Sequence, residues 1–206
     1  MSTRLEGIYA ITDEVLTPDE TVVKQVQTAL KHGVKIIQYR NKSVDDTEVE
    51  MVCRELQALC KKYKATFIID DRPHLAQKIQ ADGLHIGKDD MNLKEAREIY
   101  PEGIIGVSCY GSTRLAKEAE SEGADYVAFG SFFHSPTKPK SGIISTNVIE
   151  KAKKSVDIPV CAIGGINSSN IHHIALKQPD MISVVSAVFD GDIEENLIQL
   201  KKGMKI

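Results

Sequence analysis

Two acidic pairs, Asp70-Asp71 and Asp89-Asp90, each follow a short apolar run, Phe67 to Ile69 and Gly83 to Ile86. If those runs are successive strands of a parallel sheet, the carboxylates meet at one rim. Such a rim suits Mg²⁺, which takes one or two protein oxygens and leaves its other positions to water and substrate phosphate. Acidic surface loops are a plainer account of either pair alone. The cations weigh against it. Arg40 ends the run from Lys35, Lys42 follows two residues on, and Lys138 falls in a loop rich in Ser, Pro, Lys and Gly. One Arg fork and two Lys point charges are suited to converge on phosphate oxygens. Gly164-Gly165 permits close backbone approach to a ligand, just ahead of a helix start expected near Ser168. Ser108 closes another strand-like run. His85 lies within a strand and reads as a satisfied core histidine, His172 and His173 read as surface, and no Ser-His-Asp set is evident.

These residues need elements to hold them at one end of a sheet. Strand-like runs alternate with helix-like runs along the chain: Gly7 to Thr12, Lys35 to Arg40, Phe67 to Ile69, Gly83 to Ile86, Ile104 to Cys109, Tyr126 to Gly130, Val160 to Gly165 and Ile182 to Ala187. Between them, helix starts are expected at Thr17-Pro18, near Ser43, at Asn92 with Glu95 three residues on, and at Ser112 with Gly123 closing. Further starts are expected near Ser145, Ser168 and Asp192. Eight strands rich in Ile, Val and Ala, each followed by a helix, predict an α/β fold, a (β/α)₈ TIM barrel spanning residues 1–206 as one catalytic domain. The runner-up, an open doubly wound sheet, wants a glycine-rich turn after its first strand, and here that strand runs into Thr12-Asp13-Glu14. In such barrels chemistry sits on the loops after the strands, which is where the charged residues fall. The loop from Ser131 to Ser145 is long for its place and carries a cation, as an active-site lid would.

Composition narrows the classes. The 206 residues are 42% hydrophobic and 27% charged, ordinary for a globular protein, and a net charge of −3 argues against nucleic acid as a partner. No run of eighteen apolar residues exists and the opening MSTRLEGIYAITDE lacks a signal-peptide core, so a cytoplasmic location is expected, with no membrane partner. Four cysteines without metal spacing read as buried small hydrophobes, with a catalytic thiol at Cys109 as the minor alternative.

The segments YAITD (9–13), QYRNK (38–42), IIDDRPHLA (68–76), ADGLHIGKDD (81–90), GVSCY (106–110), ADYVAFGSFFHSPTKP (124–139), IPVCAIGGI (158–166) and VVSAV (184–188) recur in order over nearly the whole chain. In these the sequence resembles the thiamine phosphate synthase family. The resemblance implies a (β/α)₈ enzyme that joins a hydroxymethylpyrimidine diphosphate to a thiazole phosphate, releasing pyrophosphate by a dissociative displacement. Carried over by motif, Gln38, Arg40, Lys42, Ser108 and Lys138 would hold the pyrimidine diphosphate, with Arg40, Lys42, Ser108 and Lys138 in the catalytic roles. Tyr39, Asn41 and Asp70 lie within the same motifs and are counted with the substrate-binding residues. Asp71 and Asp90 would bind Mg²⁺. Ser135, Thr137, Gly165, Val185 and Ser186 would take the thiazole phosphate, and Pro136, within the same loop motif, belongs with the substrate-binding residues. The chain departs from the family pattern at Asp70, where Asn is usual, at Asn41, where an acid is usual, and at His134-Ser135-Pro136 in the loop motif. Alternatives are a thiazole tautomerase-like paralogue and a non-catalytic phosphate-binding regulator, and a homo-oligomer is compatible with the sequence. Retention of Arg40, Lys42, Asp71 and Asp90 favours the synthase.

Overall fold

The computed structural model describes residues 5–135 and 142–205. Among these, eight strands are formed: β1 (Gly7–Ile11), β2 (Ile36–Tyr39), β3 (Thr66–Asp70), β4 (Gly83–Ile86), β5 (Ile104–Tyr110), β6 (Tyr126–Phe129), β7 (Val160–Ile163) and β8 (Met181–Val184). They pair in parallel in chain order, and β8 closes on β1 with Ser183 opposite Tyr9. The helices between them are α1 (Asp19–Lys31), α2 (Asp46–Tyr63), α3 (Pro73–Ile79), α4 (Leu93–Ile99), α5 (Thr113–Ser121), α6 (Asn147–Lys153) and α7 (Ile171–Ala175). Two more, α8 (Ser186–Phe189) and α9 (Ile193–Met204), follow β8. This is the (β/α)₈ barrel expected from the alternation of runs. No helix of the described residues is long and apolar enough to cross a membrane.

Successive side chains of a strand point to opposite faces, so each strand feeds two cores. Ile8, Ala10, Ile37, Tyr39, Phe67, Ile69, Leu84 and Phe129 point outward, against Val22, Val26, Leu56 and Leu197 of the helices. Tyr9, Ile11, Ile36, Ile68, Tyr126, Ala128, Cys161 and Met181 fill the barrel interior. All four cysteines are free and buried, Cys53, Cys60 and Cys109 in the outer layer and Cys161 in the inner one.

Several helix starts follow local chemistry. Asn92, Ser112 and Asp192 each accept a hydrogen bond from the backbone N–H three residues on, as N-caps do. Others move. Thr17 does not cap α1, because its hydroxyl is spent on the backbone of Asp13 in the preceding turn. Ser43 donates to Asn41 Oδ1, and Asp45 caps α2 instead. Helix α6 begins at Asn147 rather than Ser145, and α7 at Ile171 rather than Ser168, where Asn167 and Asn170 build a turn of their own. The run expected to be one strand to Ala187 breaks at Val185 and enters the short helix α8.

Inside the barrel, volume is shared unevenly. Gly106 of β5 points inward, and a Cβ built there would lie 1.9 Å from Cζ of Tyr126. The tyrosine ring therefore occupies the space a side chain at 106 would fill. Gly106→Ala is expected to cost about 1–3 kcal/mol of stability, the usual penalty for overpacking a filled core. Urea denaturation measures it; an unchanged midpoint would show that the ring has room to move.

Candidate active site

The C-terminal ends of the strands surround a cavity of about 450 Å³. One side of its mouth is a charge cluster. Lys42 Nζ lies 3.0 Å from Asp71 Oδ2, 3.2 Å from Asp90 Oδ1 and 3.8 Å from Asp70 Oδ2. Arg40 reaches Asp70 at 3.6 Å and Glu14 at 3.2 Å. Glu14, from the loop after β1, also accepts from the backbone N–H of Lys42 at 2.7 Å, so it fixes the segment that carries both cations. On the far side of that segment Arg72 donates to the carbonyls of Asn41 and Val44 and pairs with Asp46. Asp71 adopts a left-handed backbone (φ 57°), one of the few non-glycine residue types that tolerates it, and this turns its carboxylate toward Lys42. Gly87 N–H holds the other oxygen of Asp90 at 2.7 Å.

Electrostatics follow from the crowding. Burial pushes the Asp70 carboxyl up from 3.8 to about 6, against the pull of Lys42 and Arg40. Burial acts to lower Lys42, but the three carboxylates outweigh it and hold the ammonium above its ordinary value. Burial and Asp90 raise Asp71, whereas for Asp90 burial is overcome by Asp71, the Gly87 N–H and Lys42, which lower it.

A file of polar side chains forms the floor. Gln38 Nε2 donates to Tyr9 OH (2.7 Å), Tyr9 OH meets Tyr126 OH (2.9 Å), Tyr126 OH meets His85 Nδ1 (2.9 Å), and His85 Nε2 meets Ser108 Oγ (2.9 Å). The opposite wall is built from Gly164-Gly165 after β7, from Val185 and Ser186 at the start of α8, and from Ser135. Both glycines have positive φ, 105° and 65°. Cβ atoms on them would collide with Ser131 and with the carbonyl oxygen of His134, so their identity also serves the packing of the loop after β6. Ser183 Oγ, buried in that wall, has no hydrogen-bond partner among the described residues.

The structure thus gathers Gln38, Arg40, Lys42, Asp70, Asp90, Ser108, Ser135, Gly165, Val185 and Ser186 around one cavity, with Asp71 at its edge on Lys42. Tyr39 and Asn41 are not part of its lining: Tyr39 points into the outer layer and donates to Asp19 at 2.8 Å, and Asn41 Nδ2 reaches the same carboxylate at 3.5 Å. Pro136, Thr137 and Lys138 lie outside the described residues, as does the middle of the expected lid. Asp70 pairs with Arg40 and Lys42, whereas Arg72 is occupied elsewhere. His85 is a satisfied core histidine that also lines the cavity. Cys109 points into the outer layer and burial pushes its thiol up to about 12, which leaves it no nucleophilic role. Tyr9, Tyr110, Tyr126 and Glu14 are additions that sequence reading did not single out. Glu14 had a signal, being an acid directly after the first strand, whereas the tyrosines look like ordinary strand residues.

No three His, Cys, Asp or Glu side chains are grouped as a metal site among the described residues. The pair Asp71 and Asp90 nonetheless fits Mg²⁺ in its donor chemistry. Both are hard oxygen donors at the cavity mouth, and both already close on a cation, the Lys42 ammonium.

Fold and site together define a (β/α)₈ barrel enzyme with a mixed-charge mouth above an enclosed polar floor. Residues 8–188 match the family described as thiamine monophosphate synthase. The chain is 42% identical over 202 residues to a thiamine-phosphate synthase of Thermoplasma acidophilum, covering 98% of this chain and 93% of that one. It is 41% identical over 192 residues to one of Acidithiobacillus ferrooxidans, covering 91% and 88%. Among solved structures it resembles the thiamine phosphate pyrophosphorylase from Pyrococcus furiosus, with a TM-score of 0.88, 37% identity, and 98% and 97% of the two chains covered. The chain belongs to the thiamine monophosphate synthase family, a family of enzymes.

Asp70 yields a prediction on stability. Its carboxyl binds a proton more tightly in the fold than in the unfolded chain, so stability falls as pH rises from about 4 through about 6 and stays low above. A shift of about two units corresponds to about 3 kcal/mol. Asp70→Asn cannot titrate. In divalent-free buffer its stability relative to wild type should improve by about 2 kcal/mol between pH 4.5 and pH 7.5, measured by urea denaturation. A difference that does not change with pH would overturn the assignment.

Proposed function

We propose that this chain condenses 4-amino-2-methyl-5-hydroxymethylpyrimidine diphosphate with 4-methyl-5-(2-phosphooxyethyl)thiazole, giving thiamine phosphate and pyrophosphate. The observation that carries the reading is Lys42 closing on Asp71 and Asp90, beside Arg40 on Asp70, at the mouth of the cavity, in a chain of this family. Phosphate oxygens need cations, and the cavity supplies them on one side, with a glycine-lined wall on the other.

The reaction breaks the bond between the pyrimidine methylene carbon and the diphosphate oxygen. The electron pair leaves with the diphosphate, and the lone pair of the thiazole nitrogen then forms the new C–N bond. Charge balances without proton transfer to the protein and without a protein nucleophile. Arg40, as a fork, and Lys42, as a point charge, stabilise the negative charge that grows on the departing diphosphate. Gln38 and Ser108 hold the pyrimidine end over the floor. Gly165, Val185, Ser186 and Ser135 receive the thiazole phosphate on the wall that they line. Exclusion of bulk water by the cavity protects the pyrimidine methyl cation from hydrolysis. Asp71 and Asp90 would hold Mg²⁺, which when bound neutralises diphosphate charge. A cytoplasmic enzyme agrees with four cysteines kept as free thiols.

Incubating the protein with both phosphorylated substrates and Mg²⁺ should release thiamine phosphate and pyrophosphate in equal amounts. Absence of both products would end this reading. Asp71→Asn and Asp90→Asn should each require about tenfold to a hundredfold more Mg²⁺ for half-maximal rate and lower kcat, since even residues that only support a ligand cost this much. If both variants keep the wild-type Mg²⁺ dependence, the metal assignment goes.

A further inference from the structure

The five-residue file under the cavity crosses the barrel from β2 through β1, β6 and β4 to β5, and its hydrogens can be placed by counting. Tyr9 and Tyr126 are fully buried, and burial raises both phenols far above their ordinary value, so each keeps one hydrogen to give. Gln38 has an amide NH₂ directed at Tyr9 and donates to it. Tyr9 then has two partners in the described residues, Gln38 and Tyr126. If Tyr126 gave its hydrogen to Tyr9, the hydrogen of Tyr9 would be left without an acceptor in a dry interior, an arrangement that folded proteins avoid. Tyr9 therefore donates to Tyr126, and Tyr126 donates to His85 Nδ1. A ring nitrogen that accepts carries no hydrogen, so the hydrogen of the neutral imidazole is on Nε2 and points at Ser108 Oγ. Ser108 accepts it and has its own hydrogen left for the cavity that it lines.

Packing keeps this direction fixed. The Tyr126 ring lies over Gly106, stacks on His85 with centroids 5.6 Å apart at 28°, and meets Tyr9 edge-on at 6.1 Å. Neither tyrosine can turn away without vacating interior volume.

We infer that Tyr9 and Tyr126 are positioning residues that hold His85 as its Nε2–H tautomer and thereby make Ser108 a hydrogen-bond donor toward the bound ligand. With its own hydrogen left to give, Ser108 takes a hydrogen-bond acceptor, such as a diphosphate oxygen or a pyrimidine ring nitrogen. The identity of that ligand rests on the reaction proposed above, whereas the direction of the file does not.

The tautomer can be read directly from the full-length protein labelled with ¹⁵N in its histidine rings, with His85 identified by its loss in His85→Gln. At pH 7 the His85 signals should show a protonated Nε2 and an unprotonated Nδ1. An Nδ1–H tautomer, or a ring protonated at both nitrogens, overturns the inference. Tyr126→Phe removes the donor to Nδ1 and should give a mixture of tautomers. In the condensation assay, Tyr126→Phe and Ser108→Ala should each lower kcat/KM by about tenfold, and the double variant should be no worse than about twentyfold, because both remove the same donor. A double variant near a hundredfold down overturns it, since the two residues would then act separately. Tyr9→Phe serves where Tyr126→Phe does not fold: it ends the compulsion on Tyr126 and should leave a measurable Nδ1–H fraction, while an unchanged single tautomer counts against the inference. Because the tautomer is read without turnover, a protein that shows the Nε2–H signal but forms no product upholds this inference and ends the proposed reaction.

Discussion

A parallel strand must send its side chains alternately inward and outward, and the site of this barrel depends on that pleat more than on any single residue. On β2, Ile36 and Gln38 point in and Arg40 follows at the rim, while Ile37 and Tyr39 pack against helices. On β3 the same alternation sets Ile68 and Asp70 inside and Ile69 outside. The interior of a closed barrel has a fixed volume, so a large inward residue needs a small one beside it. Tyr126 beside Gly106 is that exchange, and it brings a phenol to the middle of the barrel with its hydroxyl beneath the cavity.

Above that floor, charge is balanced rather than simply positive. Three carboxylates face Lys42, and Arg40 is shared between Glu14 and Asp70. Crowded charges need partners, and here Arg40, Lys42, Asp71 and Asp90 are also candidate ligands for phosphate or metal. Glu14 and Arg72 hold the loop between them from opposite sides, one through the Lys42 N–H and one through the carbonyls of Asn41 and Val44. The cations therefore have their backbone fixed before any ligand arrives, which lowers the ordering cost of binding.

Much of this was legible in the chain, for reasons that differ by residue. The alternation of apolar runs with capped helical runs is local, and it carried the fold. The caps at Asn92, Ser112 and Asp192 are local as well. Thr17 and Ser43 were not legible as non-caps, because a hydroxyl that can cap can equally bond its own turn, and spacing does not separate the two. Helix α8 hid in the run VVSAV, since a short apolar helix turn and a buried strand have the same composition. Motif neighbours Tyr39 and Asn41 looked equivalent to Gln38 and Arg40, yet the pleat and the Asp19 contact direct them elsewhere. The floor was the least visible part. Tyr9 and Tyr126 are 117 positions apart, and His85 and Tyr126 are 41 apart, so their contact exists only after the barrel closes.

The four free cysteines have a practical side. Cys53, Cys60 and Cys109 lie between helices and sheet, and Cys161 lies inside the barrel, all shielded from solvent and none lining the cavity. A thiol reagent added to the intact molecule therefore has no purchase until a layer opens. The order in which the four become alkylated distinguishes peeling of the helical coat from rupture of the strand ring, so the native chain carries its own chemical clock for the sequence of its unfolding.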